Sequence, residues 1–191
     1  MSVKITYNSP VILTFSIISA LVLFTSIYIV DLTPYLSLPG RFNWASPLNY
    51  LNLITYTMVH ATSLIPGQSN FGHFIGNFTI ILLIGPVLEE KYGAKNLIKM
   101  MLVTAVVTGL LNALISNSGI IGSSGLALMM IILSSFTNYR KGDLPLTFII
   151  ICIFFLGNEV IGSFQDDNIS QFAHIAGGII GSVFGFTYNK N

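Results

Sequence analysis

A chain of 191 residues has the length of one domain, but 53% of it is hydrophobic and only 8% charged, with a mean hydropathy of +0.78. A soluble domain carries about 25% charged residues, so this chain cannot cover its surface for water and reads as an integral membrane protein. The net charge of +1 says nothing about nucleic acid, but no basic cluster is present to hold phosphates and no nucleic-acid partner is expected; the single cysteine, Cys152, lies in an apolar run and reads as core or lipid-facing packing.

Residues 1–10 are short and polar. Residues 11–30 then run without a charge, enough to cross a hydrocarbon core of about 30 Å. Asp31-Leu32-Thr33-Pro34 is not a small-x-small cleavage site, so this span is expected to be retained. Residues 31–72 form a long connection rich in Pro, Asn and Ser, holding Arg41 and Trp44. Its middle, 48–59, mixes apolar residues with Asn49, Asn52, Thr55 and Tyr56 and suits a helix lying in the interface. A second span is expected at 73–88, ending at Gly85-Pro86 and the charged turn 89–93. A third covers 97–115, and a fourth 122–136 after the loop Ser116-Asn117-Ser118-Gly119. A fifth covers 144–161 and a sixth 172–186. The expected architecture is therefore all-α: one domain, a six-helix membrane bundle with a long outward-facing first loop.

Charge sets the orientation. Six spans put both termini on one side, and Lys4, Lys91, Lys95, Lys99, Arg140, Lys141 and Lys190 fall there, leaving only Arg41 opposite. The expected topology is a multi-pass cell-membrane protein with cytoplasmic termini.

Spans two, four and six start from the outer side. His73 and Asn77 lie in the first turns of span two, Ser124 in that of span four and His174 in that of span six. At about 1.5 Å rise per residue, all four sit in the outer third of the bilayer, where polar groups within spans are functional candidates. Gly177, Gly181 and Gly185, spaced four apart, make one face of span six thin, and His174 points to roughly that face. Span four opens equally thin with Gly122-Ser123-Ser124-Gly125 and Ala127. Two thin faces bring a serine to an imidazole: Ser124 as nucleophile, His174 as general base. Glu159 is the nearest carboxylate and nothing in the sequence places it beside His174, so the expected unit is a Ser-His dyad. His73 and Asn77, four apart on one helical face, and the Ser124 backbone N–H are candidate oxyanion donors.

On these residues the chain resembles the rhomboid family of intramembrane serine proteases, of the basic six-helix type. His73-Phe74-Ile75-Gly76-Asn77 is similar to its H-x-x-x-N, Gly122-Ser123-Ser124-Gly125 to its G-x-S-G, and Ala173-His174-Ile175-Ala176-Gly177 through Gly181 to its A-H-x-x-G-x-x-x-G. The resemblance spans about residues 60–186 and implies Ser124 as nucleophile, His174 as base, and His73, Asn77 and the Ser124 amide as oxyanion hole. It implies cleavage in or near the transmembrane segment of single-pass membrane proteins, without cofactor. Span five, with Phe154, Phe155 and Leu156, is by the same analogy a lateral door. Two departures stand out: Leu128 replaces the tyrosine that many relatives carry under the histidine, and Arg41 and Trp44 are separated where relatives carry a Trp-Arg pair.

Blander readings go to the remaining polar residues. Ser123 is read as packing, its hydroxyl bonding back to its own helix. His60 is read as an interfacial or loop-packing histidine, and Glu89 as a cap tying the turn after span two. A G-x-S-x-G elbow is excluded because Leu126 stands where the second glycine belongs. Zinc is excluded because His60, His73 and His174 form no metal-binding spacing. The rival functions are a catalytically inactive relative that binds membrane clients and a small transporter, the latter expected to show repeats and mid-span breaks that are absent here. Membrane lipid surrounds the bundle on any reading, and the oligomeric state is not encoded legibly.

Overall fold

Helices begin where the sequence places proline at a first turn, whose N–H has no intrahelical partner to lose. Pro10 opens α1 (Pro10–Tyr28), Pro34 the short α2 (Thr33–Leu36) and Pro47 α3 (Pro47–Thr55), which a 3-10 turn (Tyr56–Met58) continues. The remaining helices are α4 (Phe71–Tyr92), α5 (Ala94–Ile115), α6 (Ser124–Ser134), α7 (Leu146–Gly162) and α8 (Gln171–Tyr188). This computed structural model describes residues 4–60, 71–137, 143–162 and 171–188, and the side chains of these except 71, 155–162 and 171–173. The expected turn around Arg140, the loop residues 68–70, the side chains of Phe155, Leu156 and Glu159, and the 163–170 loop lie outside the described residues.

Among the described residues, α1, α4 from Gly72 and α5 are long and apolar enough to cross a membrane. The centre belongs to the shorter α6. Seven of its eleven residues, Leu126 to Met130 with Ile132 and Leu133, are buried, and α4, α5, α7 and α8 all pack on it. A helix hydrophobic all round belongs in an interior. The α8 face against it is the glycine row read from the sequence. A Cβ on Gly181 would come within 2.7 Å of the Met129 carbonyl oxygen, one on Gly177 would collide with the Gly125 carbonyl, and one on Gly185 with the Phe136 ring.

The second span departs from expectation. Instead of ending at Gly85-Pro86, α4 continues through Pro86 to Tyr92. Tertiary contacts override the proline: Ile12 of α1 seats against Gly85, where a Cβ would be 2.5 Å from its Cδ1, and Leu88 is fully buried one turn later. Glu89, 6% exposed, reaches α1 rather than tying its own turn. Its carboxylate oxygens accept the Val11 N–H at 3.0 Å and the Ile12 N–H at 3.1 Å, which caps two orphan donors and places a negative charge at the positive end of α1. Lys91 mirrors this at the far end of α6, donating to the Phe136 and Thr137 carbonyls at 2.7 and 2.6 Å. Gly93, at φ +78°, makes the turn into α5.

Candidate active site

The segment before α6 is held by main-chain bonds from the first loop. Leu38 and Ile120 exchange a pair of N–H···O bonds at 3.1 and 3.0 Å, and the Gly122 N–H donates to the Tyr56 carbonyl at 2.9 Å. Gly122 sits at φ +107°, open only to glycine at low strain. A Cβ on Gly122 would rest in van der Waals contact with His73 Nε2, at 3.4 Å. The tip of His73 therefore lies against the loop that leads into Ser124.

Ser123 is the N-cap of α6 and is fully buried. It does not bond back to its helix as the sequence reading had it. Its N–H and its hydroxyl both approach His60 Nε2, at 3.5 and 3.3 Å. An Nε2 that accepts from a backbone N–H carries no proton, so His60 is the Nδ1–H tautomer. Only 2% exposed, it is a loop-packing histidine, the second of the two readings from the sequence. It packs edge-on against Phe74 and Phe78, with ring centroids 5.0 and 5.6 Å away, and lies 6.1 Å from the His73 ring. Burial, with the His73 charge second, pushes the His60 pKa down to about 4, so the ring is neutral at neutral pH. This positioning role was missed at the sequence level. The available signal was a histidine closing the apolar stretch Tyr56-Thr57-Met58-Val59, where a buried polar ring needs a partner.

Asn77, one turn along α4 from His73, is 7% exposed, and its Nδ2 has no hydrogen-bond partner among the described residues. A buried amide left unpaired is costly unless it has a use. His73 is exposed, and its imidazole lies within electrostatic reach of that of His174. Ser124 is half-buried at the first position of α6, and His174 is half-buried near the start of α8. The next residue after Ser124 is Gly125, whose carbonyl meets Gly177, one turn beyond His174. Beneath them Leu128, in place of an aromatic ring, packs on Gly178 (3.7 Å to the Cβ position). No cluster of three metal-ligating side chains occurs among the described residues.

A family model described as the Rhomboid domain matches residues 47–191. The rhomboid protease GlpG of Haemophilus influenzae is 24% identical over 140 residues, covering 72% of this chain and 69% of that protein. The matched region contains His60, His73, Asn77, the Gly122–Gly125 segment, His174 and the glycine row of α8, and with the family model covering well over half of its length, the chain belongs to the rhomboid family of membrane proteins.

Proposed function

We propose that this chain is an intramembrane serine endopeptidase that cuts single-pass membrane proteins in or near their transmembrane segments. The observation that carries the reading is the main-chain contact of Gly125 with Gly177, which leaves no side chain between the helix bearing Ser124 and the helix bearing His174. His174 takes the proton of the Ser124 hydroxyl as Oγ attacks the scissile carbonyl. The resulting oxyanion accepts hydrogen bonds from Asn77 Nδ2, an N–H of the His73 ring and the Ser124 backbone N–H. The last is a free donor at the positive end of α6. The intermediate collapses as His174 passes the proton to the leaving amine, and a water deprotonated by the same imidazole releases the acyl group. A dry, preset amide such as that of Asn77 needs no reorganisation when charge develops, which is where such donors gain their strength.

The same proposal places six spans in the membrane, both termini on the cytoplasmic side, and the site near the outer face, in keeping with the lysine distribution. A substrate helix hides its carbonyls in i→i−4 bonds, so cleavage is expected where small or helix-weakening residues let it unwind. Labelling with a fluorophosphonate probe tests the assignment on wild type, Ser124→Ala, Ser123→Ala and His174→Ala. Labelling is expected to vanish without the Ser124 hydroxyl and to persist, weakened, in Ser123→Ala. Labelling that survives Ser124→Ala removes the proposed nucleophile.

A further inference from the structure

A slot of about 500 Å³ opens between α1, the 3-10 turn and α5, on a side of the bundle lined by none of the four residues placed in the site. Val11 and Ile18 of α1, Met58, Ile98 and Leu102 of α5, and Leu126 at its floor are among its walls. Its two hydroxyl-bearing side chains are already engaged: Thr14 Oγ1 with the Tyr7 hydroxyl at 2.9 Å, and Thr57 Oγ1 donating to the Ile54 carbonyl at 2.8 Å. The surface offered to an occupant is hydrocarbon.

We infer that this slot binds one acyl chain of an anionic phospholipid. Size separates the possible occupants. One turn of a helix about 10 Å across and 5.4 Å high fills roughly 400 Å³, so the slot seats a single turn and not a transmembrane segment of about 20 residues. A methylene takes about the room of a water, roughly 30 Å³, so the slot holds roughly sixteen carbons, the length of a fatty-acyl chain. Charge then selects the headgroup. At the end marked by Pro10, Val11 and Ala94, Lys95 stands exposed in the first turn of α5. Glu89, the carboxylate nearest Val11, is committed to the α1 amides. A phosphate at that end meets the exposed Lys95 ammonium. At the other end the chain presses on Met58 and Leu126, two residues from His60 and two from Ser124. Lipid would therefore brace the loop that positions the nucleophile, a consequence that rests on the proposed protease reading, whereas the binding does not.

The test uses the full chain in nanodiscs doped with phosphatidylglycerol or phosphatidylcholine carrying a photoreactive diazirine on one acyl chain, with adducts mapped by mass spectrometry. Adducts are expected to concentrate on Met58, Ile98 and Leu102, with phosphatidylglycerol labelling several-fold more than phosphatidylcholine. Ile18→Trp and Ile98→Trp, two independent plugs at exposed positions of the rim, are expected to cut this labelling at least fivefold, and Leu83→Trp, on exposed α4, to leave it unchanged. Lys95→Glu is expected to abolish the headgroup preference. Adducts spread evenly over exposed α4 and α5, labelling indifferent to both plugs, or equal labelling by the two lipids would each overturn the inference.

Discussion

Replacing His60 probes the least expected contact in the site. In His60→Ala the Ser123 N–H and hydroxyl lose their shared acceptor while remaining at 0% exposure. Stranding a buried donor costs about 1–3 kcal/mol. The contacts at 3.5 and 3.3 Å are long, so the lower figure applies to each. The lost edge-on packing on Phe74 and Phe78 adds about 1 kcal/mol, giving roughly 3 kcal/mol in all. His60→Gln keeps an acceptor near the Nε2 position and is expected to recover more than half of that loss. Unfolding of the purified protein in lipid-like detergent, followed by circular dichroism, measures both. The pH dependence gives an independent reading of the same residue. The unfolded chain takes up the imidazole proton near 6.5, the native one only near 4. The unfolded state therefore binds more protons in that window, and stability falls as pH drops from about 6.5 to 4, by about 3 kcal/mol at the full shift. That slope is expected to shrink in His60→Gln. A His60→Ala protein that unfolds like wild type, or a pH slope unchanged in His60→Gln, would refute the positioning role.

Asn77→Ala is expected to lower kcat for a transmembrane model substrate by about 10²–10³ with folding intact, the usual effect of losing one oxyanion donor; an unchanged kcat in a single-turnover assay excludes Asn77 from that role. At Gly177→Ala the added methyl meets the Gly125 carbonyl, and the cost of forcing the helices apart is about 1–3 kcal/mol together with a large loss of cleavage. Gly76→Ala, with nothing within 4 Å of the new methyl, is expected to stabilise by about 0.5–1 kcal/mol through helix propensity, and thermal unfolding compares the pair. Glu89→Ala strands the Val11 and Ile12 amides and removes a charge from the start of α1, for a loss of about 1–2 kcal/mol, which Glu89→Gln should roughly halve; equal stability of all three proteins would show the cap to be idle.

The parts of this molecule that chemistry constrains by residue type were legible in the sequence. Histidine, asparagine and serine at helix starts, and glycines every fourth residue on α8, have few uses in a chain so apolar, and they pointed to α4, α6 and α8. What stayed illegible depends on distant partners. Nothing local shows that Glu89 bonds residues 77 and 78 positions earlier, or that Ser123 belongs to a histidine 63 positions away. Pro86 misled because a local rule ends helices there, while Ile12, Leu88 and the Glu89 cap hold the last turns in place. Phe154 of the fifth span faces outward at 69% exposure, as contact with lipid requires.

The bonds from Leu38 and Tyr56 to Ile120 and Gly122 run through peptide groups, which every amino acid carries alike. A mutation that swaps one apolar side chain for another at 38 or 120 leaves those links available, but Leu38, Tyr56 and Ile120 share one buried cluster and the Tyr56 hydroxyl donates to the Ala105 carbonyl, so the first loop can drift in sequence only where the new side chains still pack. The glycines at 40, 119 and 122 have no such latitude: a Cβ at 40 or 119 would crowd the Asn117 or Leu38 carbonyl oxygen, and 122 holds a positive φ. Descendants of this fold are therefore expected to stay superimposable around the serine long after their letters have ceased to align, with a few small residues as the surviving fingerprint.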